Sequence, residues 1–311
     1  MHFSTNFDKI LLDYSLNKRT GDVFMNYYVL FNPYSGHGGA KARAEELQKQ
    51  YGEAEVIDIT SIEDPEAFLS PLTENDTVVI CGGDGTLYRF ANATYNIDYK
   101  CDVLFAATGT GNDFLADLGK TREDAPFSVK KYLRDLPTVT VNGNTSYFLN
   151  GVGYGIDGYC CEVGDQQKAA NPGEPVNYTA IAIKGLLGKF KPANAKITVD
   201  GVEYNFKKVW LAPTMHGRYY GGGMICAPDQ DRLAEDKMNT LVVWHGSGKL
   251  STLMAFPSIF KGEHVKKTKM IKVIKGHEIT VEFDRPCALQ IDGETVLGVT
   301  KYTTKSAAKA N

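Results

Sequence analysis

The chain has 311 residues, with 34 basic and 37 acidic side chains and a formal net charge of −3. This length allows two domains with a substantial buried core, while the slightly acidic balance argues against a general nucleic-acid binder, which needs a basic surface. No apolar run approaches the roughly 20 residues of a membrane-spanning helix, and the N-terminus lacks the apolar core of a signal peptide, so we expect a cytoplasmic protein.

The first half of the chain alternates between apolar runs and helix-like segments. Residues 1–24 have weak periodicity and are predicted to be an N-terminal extension. Strands are predicted at 27–32, 55–60, 77–81 and 103–107, and helices at 40–50, after Asp64, at 87–95 and at 112–118. Such alternation is typical of a parallel sheet covered on both faces, so residues 25–137 are predicted to form an α/β domain.

Three glycine-bearing loops follow strands of this predicted sheet, at 32–39, 82–86 and 108–112. Each loop alone is explained equally well by a turn or a helix cap. Because ligands bind beyond the carboxyl ends of parallel strands, we expect the three loops to converge at one edge. Glycines there let backbone N–H groups approach a polyphosphate, and Asp84 could face a metal ion or a ribose hydroxyl, so the pattern predicts a nucleotide site.

The second half has a different sequence pattern, with short runs of alternating apolar and polar residues separated by turn signals. Asn142-Gly143, Asp200-Gly201 and Asp292-Gly293 are typical of tight hairpin turns. Residues 138–300 are therefore predicted to form a β-rich, antiparallel, sandwich-like domain with one helix near 177–190. Residues 301–311 are predicted to be a tail that can return to the first domain, and the missing linker predicts a cleft between the domains.

Several motifs, in order, resemble the catalytic domain of diacylglycerol kinases and the related sphingosine, ceramide and bacterial lipid kinases. They are Asn32-Pro33 with Ser35-Gly36, the GGDGT of residues 82–86, the GTGNDF of residues 109–114, and Asp292-Gly293-Glu294. GGDGT alone is shared with NAD kinases, which belong to the same superfamily. The ordered set, spread over roughly residues 26–300, is much more specific.

The resemblance implies an ATP-dependent kinase that phosphorylates a lipid hydroxyl, with ATP and Mg²⁺ as cofactors and a role in lipid metabolism. It implies that Glu294 is the general base and that Asp84 acts through the catalytic magnesium. The implied nucleotide-binding residues are Asn32, Pro33, Ser35, Gly36, Gly82, Gly83, Gly85, Thr86, Thr108, Gly109, Thr110, Gly111, Asn112 and Asp113. A structural magnesium is implied at the acidic stretch after Pro228, with Asp229, Glu235 and Asp236 as candidate ligands.

Two alternatives stay open: an NAD kinase, and a regulator that binds nucleotide or lipid without catalysis. A lipid acceptor also implies contact with a membrane surface. Apolar residues interleaved with lysines near 181–191, and a second basic stretch at 261–272, are the candidate contact regions; the alternatives are a half-buried core helix and a solvated strand edge. The sequence identifies neither the lipid nor the oligomeric state, and a homodimer is among the states it allows.

Overall fold

The computed structural model describes residues 25–35, 38–52, 54–109, 112–171, 174, 176–188 and 190–307, so the predicted extension at 1–24 lies outside it. The elements of the first half are β1 Asn26–Phe31, α1 Gly39–Tyr51, β2 Glu55–Asp58, α2 Pro65–Leu69, β3 Asp76–Gly82, α3 Asp84–Thr94, β4 Asp102–Ala107, α4 Asp113–Asp117 and β5 Phe127–Ser128. The strands form a five-stranded sheet in the order β2-β1-β3-β4-β5. Strands β1 to β4 are parallel, and the short β5 is antiparallel to β4.

Helices cover both faces of this sheet, as the alternation of apolar strands and helices in the sequence predicts. Alternate side chains of a strand point to opposite faces. Val29 and Val79 accordingly pack with Leu47 of α1, while Leu30 and Ile80 pack with helices of the other face. Burial on both faces explains the nearly continuous apolar character of β1 and β3.

Two predicted boundaries differ from the structure for local reasons. The strand predicted at 55–60 ends at Asp58, because the Asp58 carboxylate accepts the N–H of Thr60 and caps a short 3₁₀ helix, Ile59–Ser61. The helix predicted at 87–95 begins earlier, at Asp84. Asp84 therefore lies in the first turn of α3.

The second half contains an antiparallel sheet of ten strands and a separate two-stranded sheet, and the predicted α/β plus β-rich fold class is confirmed. The helices Ile156–Ala170 and Lys249–Ala255 and two 3₁₀ segments, Phe256–Lys261 and Glu263–Lys266, were not predicted. The elements are β6 Thr138–Val141, β7 Asn144–Tyr147, β8 Gly151–Tyr154, α5 Ile156–Ala170, α6 Tyr178–Leu187, β9 Ala193–Val199, β10 Val202–Val209, β11 Thr214–Met215, β12 Tyr219–Tyr220, β13 Met224–Ile225, β14 Asn239–Trp244, α7 Lys249–Ala255, β15 Ile271–Gly276, β16 Glu278–Ile291 and β17 Glu294–Lys305.

Residues 301–305 are not a tail but the last part of β17. There β17 pairs with β6, the first strand of the same domain. The pattern Lys301-Tyr302-Thr303-Thr304 alternates with the period of a strand, and Tyr302 and Thr304 are buried. The end of the described chain is thus fixed in the second domain.

The three predicted hairpin turns are confirmed at β6–β7, β9–β10 and β16–β17. Both residues of each turn have positive φ, for example 46° at Asp292 and 93° at Gly293. That is the backbone of a type I′ turn, which asparagine, aspartate and glycine tolerate best. Within the described part of the chain, no helix is long and apolar enough to cross a bilayer.

Candidate active site

The three glycine-bearing loops meet at the carboxyl edge of the first sheet, as predicted. The side-chain amide of Asn32 donates to the Thr86 hydroxyl at 3.0 Å, which joins the first loop to the second. The N–H of Gly83 donates to the Ser35 hydroxyl at 3.0 Å. A Cβ added to Gly109 would lie 2.9 Å from the Cα of Gly83, so the second and third loops touch through their backbones.

The predicted nucleotide residues divide into those that face a cavity and those that lie behind it. Asn32 and Thr86 hold the loops together, and Gly36, Thr110 and Gly111 lie outside the described residues. The predicted residues that line the cavity are Ser35, Gly83, Asp84, Gly85, Gly109 and Asp113.

Asp84 is the most perturbed acid of these loops. One of its carboxylate oxygens accepts the N–H of Phe114 at 3.0 Å and the side-chain amide of Asn150 at 3.2 Å. The other oxygen is buried and has no hydrogen-bond partner within the described part of the chain. Burial raises the pKa of Asp84 to about 7, although the Phe114 N–H opposes the shift. A buried acid with a free oxygen, facing a cavity, is a typical ligand for a cation.

A buried ionic network joins the two domains directly behind this site. Arg232 donates to the Asp117 carboxylate at 2.5 Å and to the Asn150 side-chain oxygen at 3.0 Å, and Asn150 in turn contacts Asp84. Arg218 donates to the other Asp117 oxygen at 2.8 Å. Burial disfavours the charged form of Asp117, but the charge of Arg232 and hydrogen bonds from both arginines outweigh it and lower its pKa.

A second bridge between the domains starts from Asp113 at the beginning of α4. Its carboxylate accepts the backbone N–H groups of Gly222 and Gly223, at 2.9 and 2.7 Å. Burial nevertheless raises the pKa of Asp113. The glycine-rich turn between β12 and β13 is thereby held against the nucleotide loops.

The β16–β17 turn brings its own carboxylate to the cavity, and that carboxylate is Asp292. It accepts the backbone N–H groups of Leu149, Asn150 and Gly151, and burial raises its pKa to about 6 against these three bonds. Glu294, the predicted base, does not line the cavity. It accepts from Arg89 of α3 at 2.8 Å, and both side chains are about half exposed or more, at 47% and 68%.

The cavity between the domains has a volume of about 620 Å³ and two kinds of lining. We call the part lined by the glycine loops, Asn150 and Asp292 its polar end, and the part lined by apolar residues of α5, α6 and the segment after α7 its apolar end; Asp157, in the first turn of α5, also lines the cavity. Asp157 is buried and accepts the Tyr220 hydroxyl at 2.8 Å, while its second oxygen has no partner among the described residues. Burial raises the pKa of Asp157 to about 7.

The acidic stretch after Pro228 faces outward. Asp229, Glu235 and Asp236 are exposed, whereas Arg232, in the middle of the stretch, is buried. The described residues contain no group of three or more His, Cys, Asp or Glu that could hold a metal ion. A structural magnesium at these three residues stays a prediction.

Sequence reasoning missed Asn150, Arg232 and Asp117 as parts of the site. Asp117 stands three positions after the GTGNDF motif, and its arginine partners lie 101 and 115 positions further along the chain, so no local pattern connects them. The structure shows that Arg218 and Arg232 approach this position from the second domain.

Comparison with known proteins agrees with this geometry. Residues 26–140 match the diacylglycerol kinase catalytic domain, and residues 150–306 match the YegS C-terminal NAD kinase beta sandwich-like domain. A diacylglycerol kinase of Mycobacterium tuberculosis is 26% identical over 251 residues, which cover 76% of this chain and 79% of the relative. A diacylglycerol kinase of Bacillus subtilis is 26% identical over 230 residues, 72% of each chain.

The fold has a counterpart among solved structures. A diacylglycerol kinase from Bacillus anthracis superposes with a TM-score of 0.61 at 20% identity, over 91% of this chain and 95% of that one. The two domain matches together cover nearly all of the described residues. The chain therefore belongs to the diacylglycerol kinase family, with a catalytic domain followed by the YegS-type β-sandwich-like domain.

Proposed function

We propose that the protein is an ATP-dependent lipid kinase that transfers the γ-phosphoryl group to a lipid hydroxyl. One observation carries this proposal: a single cavity joins the glycine loops of the first domain to an apolar end built from the second. The polar end suits a nucleotide and the apolar end suits an acyl chain. Phosphoryl transfer requires mainly that nucleotide and acceptor be held in line, and a cavity lined by both domains has room to receive the two together.

The residues at the polar end fit a nucleotide with its magnesium. Gly83 and Gly109 approach so closely that a Cβ on Gly109 would fill the space between their backbones. The buried, unpartnered oxygen of Asp84 supplies the hard oxygen ligand that Mg²⁺ prefers. When bound, Mg²⁺ would neutralise charge on the phosphates. Asp84 itself is held in place by the Phe114 N–H and by Asn150.

Glu294 remains our candidate for the general base, and its partner Arg89 does not argue against that. An exposed ion pair of this kind contributes only about 0–1 kcal/mol. The Glu294 side chain can therefore leave Arg89 at little cost when an acceptor binds. Glu294 directly follows Asp292 and Gly293, both of which line the cavity. Asp292 fixes the turn through its three backbone contacts.

The experiment that tests the proposal is transfer of label from γ-labelled ATP to a panel of acceptors. The panel contains diacylglycerol, monoacylglycerol, phosphatidylglycerol, sphingoid bases, polyprenols and NAD, and products are separated by thin-layer chromatography. We expect one lipid class to be labelled. Labelling of NAD alone would support an NAD kinase, and tight ATP binding without any labelled product would support a regulator.

The contact between the glycine loops yields a prediction for Gly109→Ala. The added methyl would lie 2.9 Å from the Gly83 Cα, which forces the two loops apart. We expect ATP affinity to fall about tenfold or more, because loops that cradle phosphates act through closely spaced backbone N–H groups. Isothermal titration calorimetry measures this effect. Gly248→Ala, where no atom lies within 4 Å of the added carbon, is the control and should bind ATP normally.

The raised pKa of Asp84 predicts a pH dependence of metal binding. The pKa is about 7, and a proton competes with Mg²⁺ for the carboxylate, so binding weakens as pH falls. Below pH 7 we expect the half-saturating free Mg²⁺ concentration to rise about tenfold per pH unit, and above pH 8 to be constant. Kinetic titrations corrected for magnesium bound to ATP in solution would show this. A flat profile between pH 6 and 8 would contradict a metal role for Asp84.

A further inference from the structure

An exposed apolar surface lies on helices α6 and α7, outside the site described above. It consists of Ile183 and Leu187 on α6 and Leu250 and Met254 on α7, and we call it the helical patch. Their exposed fractions are 38%, 62%, 68% and 69%. Several large apolar side chains exposed on neighbouring helices are unusual for a free surface and indicate an interaction site.

Helix α6 has two sets of apolar residues, one buried in the core of the second domain and one exposed in the patch. Of the apolar residues in the predicted contact region, Ile181, Leu186 and Phe190 are buried in the second domain. Ile183 and Leu187 are four residues apart and lie on the outer face of α6. Lys189 lies outside the described residues.

The two halves of the patch form one surface. Helices α6 and α7 pack against each other. The Lys249 ammonium at the start of α7 donates to the Gly188 carbonyl at the end of α6, at 2.9 Å. Leu250 and Met254 are also four residues apart, so they share the outer face of α7.

The chain around α7 is rich in lysine. Between His245 and Gly276 the chain has seven lysines and a single acid, Glu263, although its overall net charge is −3. Lys184 on α6 and Lys261, Lys266 and Lys267 beyond α7 are exposed. An apolar face with lysines at its margin is typical of helices that rest in the headgroup region of an anionic bilayer.

The patch also adjoins the apolar end of the cavity. Thr179 and Ala182 of α6 and Phe256, directly after α7, line the cavity. Thr179 lies one helical turn before Ile183, on the same exposed face. Helix α6 thus contributes both to the wall of the cavity and to the exposed apolar surface, and the residue directly after α7 also lines the cavity.

We propose that the helical patch docks on the surface of a bilayer that contains anionic lipid. A second copy of the chain is a poorer occupant, because a two-fold contact would bring the two lysine-rich margins together. Docking through α6 and α7 would place the apolar end of the cavity against the lipid. This inference deepens the proposed function, but its test does not depend on catalysis.

The test is sedimentation of the full chain with sucrose-loaded vesicles that contain no phosphoryl acceptor. One set is phosphatidylcholine alone, and the other contains phosphatidylcholine with about 30% phosphatidylserine, which supplies the anionic headgroups. We expect clear preference for the anionic set. Met254→Glu together with Leu250→Glu should weaken binding at least about tenfold. Lys184→Gln and Lys261→Gln should each weaken it about fivefold.

Val202→Glu is the matched control, because Val202 is 54% exposed but lies on the β9–β10 hairpin. It should bind vesicles like the unmodified chain. The proposal would be overturned if Val202→Glu lost as much vesicle binding as the Leu250→Glu, Met254→Glu variant. It would also be overturned if the unmodified chain did not bind vesicles. A dimer in analytical ultracentrifugation that dissociates in the Leu250→Glu, Met254→Glu variant would also overturn it, since a second copy would then cover the patch. If vesicle binding is intact but no lipid is phosphorylated, the proposed kinase function is contradicted and the docking proposal is not.

Discussion

Glu294→Gln is expected to lower the rate of lipid phosphorylation about 10²–10⁴-fold while ATP affinity stays nearly unchanged. Glutamine has nearly the same shape as glutamate but cannot accept the proton of the acceptor hydroxyl. The residue lies outside the glycine loops that form the nucleotide end of the cavity, so ATP binding should not depend on it. Turnover at saturating ATP and lipid, measured beside ATP binding, separates the two effects.

Glu203→Gln provides the matched control for this substitution. Asp200-Gly201-Val202-Glu203 and Asp292-Gly293-Glu294 are both turns with positive φ, followed by an exposed glutamate in an ion pair. Only the second turn lines the cavity. Glu203→Gln should leave turnover normal. Near-normal turnover in Glu294→Gln would remove Glu294 from the mechanism and direct attention to Asp292, whose carboxylate already lines the cavity.

Arg232→Met is expected to destabilise the protein by about 3–5 kcal/mol, which is the usual cost of removing one partner of a buried ion pair and leaving the other charge buried. Asp117 would keep only Arg218 as its charged partner, and Asn150 would lose the donor that orients it beside Asp84. We therefore expect both a lower melting temperature and weaker activity. Differential scanning calorimetry measures the melting temperature, with the unfolding transitions of the two domains fitted separately.

Arg122→Met is the control for this prediction, because the pair of Arg122 with Glu123 is exposed to solvent and should contribute little to stability. The pKa of Asp117 is lowered in the fold, so its stabilising contribution is present at neutral pH and is lost as pH falls through the folded pKa. The difference in melting temperature between the unmodified protein and Arg232→Met should thus become smaller in strong acid. Equal melting temperatures at pH 7 would contradict the role of the network.

The sequence alone predicted the features that depend on local chemistry. Strand and helix alternation indicated the first sheet, and the turns at Asn142, Asp200 and Asp292 were identifiable because their dipeptides suit positive φ. The meeting of the three glycine loops followed from one general property of parallel sheets. These inferences need no knowledge of how distant segments pack.

The contacts between the domains were not predictable in the same way. Arg232 stands in an acidic stretch that suggests a metal loop, and only the fold shows that its side chain turns inward to Asp117, which is 115 positions away in the chain. The helices α5 and α7 were also missed. Helix α5 contains Gly158 and Gly164, which disfavour a helix, and α7 has only seven residues, so packing against the rest of the domain decides both conformations.

The most direct measurement of the central claim is the fate of the γ-phosphoryl group in the presence of vesicles that contain the acceptor panel. Purified protein is incubated with γ-labelled ATP and Mg²⁺, and the lipids are extracted into organic solvent. We predict that label enters a single phosphorylated lipid, and that Glu294→Gln, at equal ATP occupancy, produces it about 10²–10⁴-fold more slowly. Label that stays entirely in the aqueous phase, although ATP is bound, would contradict the assignment of this protein as a lipid kinase.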